Sequence, residues 1–275
     1  MDERFIYWLK LLLLSLVQGF TEILPISSSG HILLFETLMD LDTSMSFSIF
    51  LHLGSLIAIL IFFFKEIKRL FCSFFSFIFF KNREERVKKD FHFILLLFIA
   101  TLPAGIIGAL FNDTIEEIFY RPLFVIIGFY FTAILLFVIR YFKVEKSLET
   151  MSIKDALVVG LAQAIGIIPG VSRSGITISA LKARKLDDDS AAHFSFFMLI
   201  PVTFGSFVVE IIKLFKAPIH SIQIDILPVS FCVIVSFVAT YISLHLFLKL
   251  IKKGKLWYFS LYLIIISTLF ILLIK

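Results

Sequence analysis

The stretch Leu16-Val17-Gln18-Gly19-Phe20-Thr21-Glu22-Ile23-Leu24-Pro25-Ile26-Ser27-Ser28-Ser29-Gly30-His31 decides how this chain is read. It enters as an apolar run and ends in a proline, three serines and a glycine. A second stretch does the same, where Pro169-Gly170-Val171-Ser172-Arg173-Ser174-Gly175 interrupts the apolar segment of about 155–186. A lipid-facing helix cannot leave so many backbone groups without partners. Irregular backbone at membrane depth survives only where protein or a watered cavity surrounds it. Both breaks therefore predict the inward-facing tips of re-entrant helix–loop–helix hairpins, the first spanning about 6–41.

The rest of the chain supplies the membrane. Of 275 residues, 59% are hydrophobic and 35 are Phe. The mean hydropathy is +1.00, which leaves too little polar surface to cover a water-soluble core. Six further apolar stretches are long enough to cross, at about 46–64, 91–111, 122–142, 190–212, 227–248 and 256–274. The expected fold is an all-α polytopic membrane protein of six transmembrane helices plus two re-entrant hairpins.

The two breaks match each other at an offset of 145: Leu16 with Leu161, Gln18 with Gln163, Ser27 with Ser172, Ser29 with Ser174, Gly30 with Gly175. Phe47-Ser48 resembles Phe194-Ser195 slightly later. This predicts one membrane domain built from two repeats, 1–142 and 143–275, each a hairpin plus three spans. An odd number of spans per repeat inverts the second. The charges agree: 65–90 is rich in Lys and Arg and reads as a cytoplasmic loop, whereas 112–121 carries Asp113, Glu116 and Glu117 against Arg121. Basic clusters return at Arg140–Lys154 and Lys249–Lys255, so both termini are expected outside. The hairpin tips then meet near the midplane, as in inverted-repeat transport folds.

The net charge of +5 resides in these short loops, and no basic face with interleaved aromatics points to nucleic acid. Cys72 and Cys232 sit in apolar runs without metal-ligand neighbours and read as inert. Asp2-Glu3-Arg4 before an apolar run resembles a signal peptide, but no small-residue cleavage site follows, so cleavage is not expected.

Chemistry falls to a few polar residues at the tips. An acid within an apolar span is functional by default, and Glu22 shares a helix face with Gln18 four residues earlier. That face can present a carboxylate and an amide to a metal ion or a hydroxyl. Ser27, Ser28 and Ser29 could be only a turn or helix cap, but Glu22 and His31 beside them supply what a hydroxyl nucleophile needs. Arg173 requires an anion or a carboxylate partner, and its planar fork suits phosphate. A structural salt bridge to Glu22 is the plainer alternative. Ser172, Ser174 and Thr177 at a helix N-terminus could complete a phosphate cradle. His52 is placed to line the cavity, His92 lies at a membrane edge, and 81–90 reads as a solvated charge run.

The motifs Gln18–His31 and Pro169–Thr177, with their length, order and duplication, resemble the signature segments of the bacterial undecaprenyl-diphosphate phosphatases, the BacA-type bacitracin-resistance family, over the whole chain. The resemblance implies an enzyme that removes the terminal phosphate from C55 isoprenyl diphosphate, leaving undecaprenyl phosphate, the carrier lipid for peptidoglycan precursors. It also implies a divalent cation (Mg2+ or Ca2+), a homodimer, and a multi-pass protein of the bacterial cell membrane whose site opens to the outer face. By the same resemblance, Ser28 is the proposed nucleophile, His31 the essential histidine, Arg173 the phosphate-binding arginine and Glu22 the second acid of the first motif. Gln18 stands where the family often has Glu, which removes one charge from any metal site. Glu22 is expected to orient His31 or bind the metal, and either Ser28 or His31 can be the nucleophile. The rival from another class is a transporter or flippase of a lipid phosphate, since inverted repeats with broken helices are transporter architecture. A purely structural membrane protein would leave Arg173 and Glu22 without a purpose.

Overall fold

The computed structural model describes residues 3–41, 43, 45–216, 226–251 and 253–273. Eleven α-helices are described: α1 (Glu3–Ile23), α2 (Ser28–Met39), α3 (Met45–Phe62), α4 (Phe64–Ile78), α5 (Glu85–Phe119), α6 (Pro122–Val138), α7 (Ile153–Ile165), α8 (Arg173–Ala183), α9 (Asp188–Lys216), α10 (Ile226–Ile251) and α11 (Tyr258–Leu273). Two short 3-10 turns lie between α6 and α7. Among the described residues the only β-type pairing is a single bridge between Lys146 and Leu186.

The chain is a helical bundle suited to a membrane. Five helices are long and apolar enough to cross, or six if α3 and α4, bent by 74° at their junction, count as one span. Large apolar side chains such as Phe98, Leu110, Leu123, Ile134 and Ile265 lie on the outside, where lipid rather than water is their solvent. Two boundaries differ from the sequence reading. α1 runs unbroken for 21 residues, about 31 Å at 1.5 Å per residue, and by itself meets the length of a span. α11 has only 16 residues, short of the expected 256–274.

The expected loop at 65–90 is mostly helix. α4 occupies its first half and the charge run at 81–90 is taken into the start of α5 from Glu85. The reason is legible in the side chains of α4. Phe71, Phe75 and Ile78 share one exposed apolar face, Leu70 and Ser73 face the bundle, and Lys65, Lys68 and Arg69 occupy the remainder. Such an amphipathic segment is most stable as a helix lying along an interface.

Both breaks fold as antiparallel helix pairs whose ends meet. α2 returns alongside α1, and Lys10 Nζ donates to the carbonyl of Met39 at its end. α7 and α8 are closed at their base by Asp155, which accepts from Arg184 Nε at 2.6 Å and from Lys146 Nζ at 3.0 Å, and from the Ser152 amide and hydroxyl at 2.9 and 2.7 Å. Burial works against this charge, yet the four donors outweigh it and hold the Asp155 carboxyl well below the usual carboxylate range.

The first arm of each pair packs on a helix from the other half of the chain: α1 on α10, and α7 on α5. These approaches are close because small residues line them. A Cβ on Gly19 would lie 2.6 Å from the Ser236 carbonyl oxygen, and one on Gly160 would lie 2.6 Å from that of Ala100. Hydroxyls stitch α10 to its neighbours, with Ser243 Oγ donating to the Phe20 carbonyl of α1 at 2.8 Å and Thr240 Oγ1 to Ser55 Oγ of α3 at 2.9 Å. Small residues and interhelical hydroxyl bonds are the means by which helices associate where burial from water offers no drive.

Candidate active site

Each tip ends in a serine that caps the helix it begins. Ser27 Oγ accepts from the Gly30 amide at 3.3 Å, and Ser172 Oγ accepts from the Gly175 amide at 3.1 Å. Ser27 and Ser29 hydroxyls lie 3.4 Å apart, and those of Ser172 and Ser174 lie 3.3 Å apart. The matching sequence patterns thus fold into matching caps, with the N-termini of α2 and α8 at the tips. Helix N-termini favour anions through their unpaired amides and their dipoles.

The tips touch. A Cβ on Gly30 would lie 3.0 Å from Gly170 Cα and 2.4 Å from the Phe129 ring, so neither position has room for a side chain. Gly170 also holds φ +89°, which suits glycine alone, while its Cα sits against Val125 of α6. Ser174 Oγ crosses between the tips to donate to the Leu24 carbonyl at 3.1 Å.

This contact brings both tips to one carboxylate. Glu22, on the last turn of α1, is buried. Its Oε2 accepts from Ser28 Oγ at 2.7 Å and from Gln18 Nε2 at 2.9 Å. Its Oε1 accepts from Arg173 Nη2 at 3.2 Å. His52 of α3 completes the ring, with Nδ1 at 2.9 Å from Gln18 Nε2 and 3.6 Å from Glu22 Oε2. Glu22 thus compensates Arg173 and aligns the Ser28 hydroxyl in one arrangement. The salt bridge expected as the plainer alternative for Arg173 is present, but the guanidinium is not consumed by it. Its side chain is 25% exposed and its other nitrogen reaches Thr203 Oγ1 at 3.4 Å, which leaves donors of its fork for an incoming anion.

The remaining expected residues have other tasks. Ser172 is a cap whose amide donates to Thr132 Oγ1 at 3.0 Å. Thr177 is buried, bonded to the Arg173 carbonyl at 2.9 Å and to Ser195 Oγ at 2.6 Å, so its hydroxyl belongs to the helix and not to a cradle. Ser29 stays exposed beside the cluster. His31 is buried, yet it bonds to neither Glu22 nor Ser28. Its Nδ1 lies 2.8 Å from the Ser27 carbonyl oxygen and its Nε2 lies 2.8 Å from the Tyr262 hydroxyl. The expectation that Glu22 orients His31 is therefore corrected: the histidine at Glu22 is His52. A polar side chain in an apolar span marked His52 in the sequence, but nothing local marked Thr203 or Tyr262, which arrive from α9 and α11.

Among the described residues, no group of three or more His, Cys, Asp and Glu could hold a metal ion. Glu22 and Gln18 offer one carboxylate and one amide, and the amide nitrogen of Gln18 already faces the carboxylate. That donor set fits a hard cation only in the way Mg2+ is commonly held, by one or two carboxylates with phosphate oxygens of the substrate supplying further ligands.

Fold and cluster together define a polytopic helical membrane protein that carries a serine–carboxylate–arginine cluster around the buried Glu22. Residues 11–269 match the family model for bacitracin resistance protein BacA, and the chain belongs to that family. It is 42% identical over 270 residues to undecaprenyl-diphosphatase 2 of Bacillus thuringiensis, covering 97% of this chain and 98% of the relative. Undecaprenyl-diphosphatase of Oceanobacillus iheyensis is 39% identical over 259 residues, 93% of each chain. Undecaprenyl-diphosphatase 1 of Shouchella clausii is 36% identical over 265 residues, 95% of this chain and 94% of the relative.

Proposed function

We propose that this protein is an undecaprenyl-diphosphate phosphatase, which hydrolyses the terminal phosphate of the C55 isoprenyl diphosphate to undecaprenyl phosphate and inorganic phosphate. This recycles the carrier lipid and underlies bacitracin resistance. The observation that carries the reading is the convergence of Ser28, Glu22 and Arg173, from both hairpins, on a span of a few ångströms. A carrier of lipid phosphates would need an anion site but has no use for a serine hydroxyl aligned on a carboxylate, and the relatives bear the phosphatase name.

In this reading Ser28 Oγ attacks the terminal phosphorus as its proton passes to Glu22 Oε2. The bond between that phosphorus and the bridging oxygen breaks, and undecaprenyl phosphate leaves as the anion. Water then cleaves the phosphoserine to release inorganic phosphate. The transition state is loose, so late deprotonation by a carboxylate suffices and the larger task is electrostatic. Arg173 meets the equatorial phosphate oxygens with its bidentate fork, aided by the N-termini of α2 and α8. Glu22 with Gln18 would hold a Mg2+ or Ca2+ ion, whose chemistry is to neutralise diphosphate charge. With both ring nitrogens of His31 already bonded, Ser28 is the better placed nucleophile.

The proposal extends to topology. The matching caps and the closed bases of both hairpins support two re-entrant segments and two inverted repeats, 1–142 and 143–275, with six spans, in a homodimer of the bacterial cell membrane whose site opens to the outer face. The basic loops support the orientation.

The test is phosphate release from farnesyl or undecaprenyl diphosphate by the purified protein in lipid, with Mg2+ or EDTA, followed by mapping of any trapped phospho-enzyme. Metal-dependent release with phosphate on Ser28 is expected. Phosphate on His31 would overturn the serine mechanism, and no release by folded protein would overturn the phosphatase reading.

A further inference from the structure

Tyr262 belongs to the first half of α11, and its hydroxyl bonds to a residue 231 positions earlier in the chain. It lies 2.8 Å from His31 Nε2, and the two rings stack at 5.7 Å with an interplanar angle of 11°. Phe129 lies 4.8 Å from the same imidazole. The other nitrogen, Nδ1, lies 2.8 Å from the Ser27 carbonyl oxygen. A carbonyl can only accept, so the Nδ1 proton donates to it. In the neutral ring Nε2 is then an acceptor, and the Tyr262 hydroxyl is its donor. The tautomer of His31 is thus set from both ends.

What this histidine holds is an unusual piece of backbone. Ser27 sits at φ 68° and ψ 99°, a conformation that costs a non-glycine residue energy and persists only when its surroundings impose it. The carbonyl that His31 grips is the Ser27 half of the Ser27–Ser28 peptide. Rotating that peptide would swing Ser28 away from Glu22 Oε2, now 2.7 Å from its hydroxyl. Tyr262 also walls a mostly apolar groove of about 330 Å³, with Phe20, Leu24, Ile26 and Phe259 among its lining.

We propose that Tyr262 is a positioning residue for the reaction. Through His31 it fixes the Ser27 carbonyl and so aims the Ser28 hydroxyl, while neither Tyr262 nor His31 exchanges a proton with the substrate. This rests on Ser28 being the nucleophile, as proposed above.

The experiment compares wild type with Tyr262→Phe, which removes one oxygen and keeps the ring. Two readouts are taken: the pH profile of farnesyl diphosphate hydrolysis, and ¹⁵N NMR of histidine-labelled protein, with His31 assigned from the resonance missing in His31→Gln. In wild type, His31 is expected protonated at Nδ1 and hydrogen-bonded at an unprotonated Nε2. In Tyr262→Phe the Nε2 resonance should move to that of a nitrogen without a donor. kcat should fall about tenfold, the scale of one buried hydrogen bond. KM should stay within about twofold, and the fall in kcat should be the same at every pH at which Nε2 is unprotonated, because a positioning interaction made throughout that range scales the rate there without shifting a limb.

Protonation of His31 at Nε2 in wild type would overturn the proposal without any variant, as would undiminished kcat in Tyr262→Phe. A shifted limb of the pH profile would overturn it too, by making His31 a proton-transfer group. If wild type releases no phosphate, the phosphatase reading fails. The NMR comparison still decides whether Tyr262 sets the state of His31.

Discussion

The two hairpins share a cap and differ in chemistry. Ser27 and Ser172 cap α2 and α8 through the same bond to a glycine three residues on. The next position is Ser28 in one and Arg173 in the other. Both side chains reach the same carboxylate, Ser28 at Oε2 and Arg173 at Oε1. Glu22 has Ile167 as its counterpart at the offset of 145, and His31 has Ile176. Two positions that correspond at that offset therefore stand at one carboxylate, and the two hairpins differ at three such pairs. The lesson is that matching caps bring corresponding positions together, while the side chains at those positions differ in chemistry.

In the proposed mechanism, with Ser28 as the nucleophile, serines at the two tips do different work. Ser28→Ala should lower phosphate release by roughly 10³-fold or more, as loss of a nucleophile does. Ser174→Ala, which removes a bond to the Leu24 carbonyl and the contact with the Ser172 hydroxyl, should stay within about tenfold. Steady-state rates on both variants in the same lipid check this, and equal losses would break the comparison.

The paired glutamines sharpen it at a smaller scale. Gln18 touches Glu22 and His52, whereas Gln163 donates to the Ala100 carbonyl at 3.5 Å. Gln18→Ala should cost about tenfold in kcat, the scale of one or two buried hydrogen bonds. Gln163→Ala should leave kcat within about twofold and lower the melting temperature instead, since it removes an interhelical bond worth about 1 kcal/mol. Kinetics and thermal melts on the same two preparations separate the roles.

The base of the second hairpin has the smallest expected effect on turnover. Asp155→Asn should leave kcat nearly unchanged and destabilise the protein by about 1–3 kcal/mol at neutral pH, because Arg184 and Lys146 lose their partner. Since the folded carboxyl titrates below its unfolded value, its contribution is present above about pH 4 and is lost as pH falls. The gap in melting temperature between wild type and Asp155→Asn should therefore close on acidification through that range.

Much of this architecture was legible in the residues. The serines with a glycine three positions from the first announced both caps, because a cap is a bond within one turn. An arginine and a glutamate inside apolar stretches announced a site, because lipid tolerates neither alone. Thr177 misled for the same local reason: a threonine at the start of a helix looks available to an anion, but its hydroxyl turned back to the Arg173 carbonyl and across to Ser195. The loop expected at 65–90 misled because charge density was read before the Phe71, Phe75 and Ile78 face of α4.

By itself, then, the sequence determined the helical bundle, the two broken segments with their matching caps and the cast of polar residues, all of which follow from hydropathy and from bonds that close within a few residues. Only the tertiary structure decided that Glu22 is shared between Ser28 and Arg173, that His52 rather than His31 stands at that carboxylate, and that Tyr262 holds His31. Apart from Glu22 with Ser28, those pairings join residues 30 to more than 200 positions apart. Spacing rules carry no information at that range, because the close approach of the tips at Gly30 and Gly170 is set by the packing of whole helices.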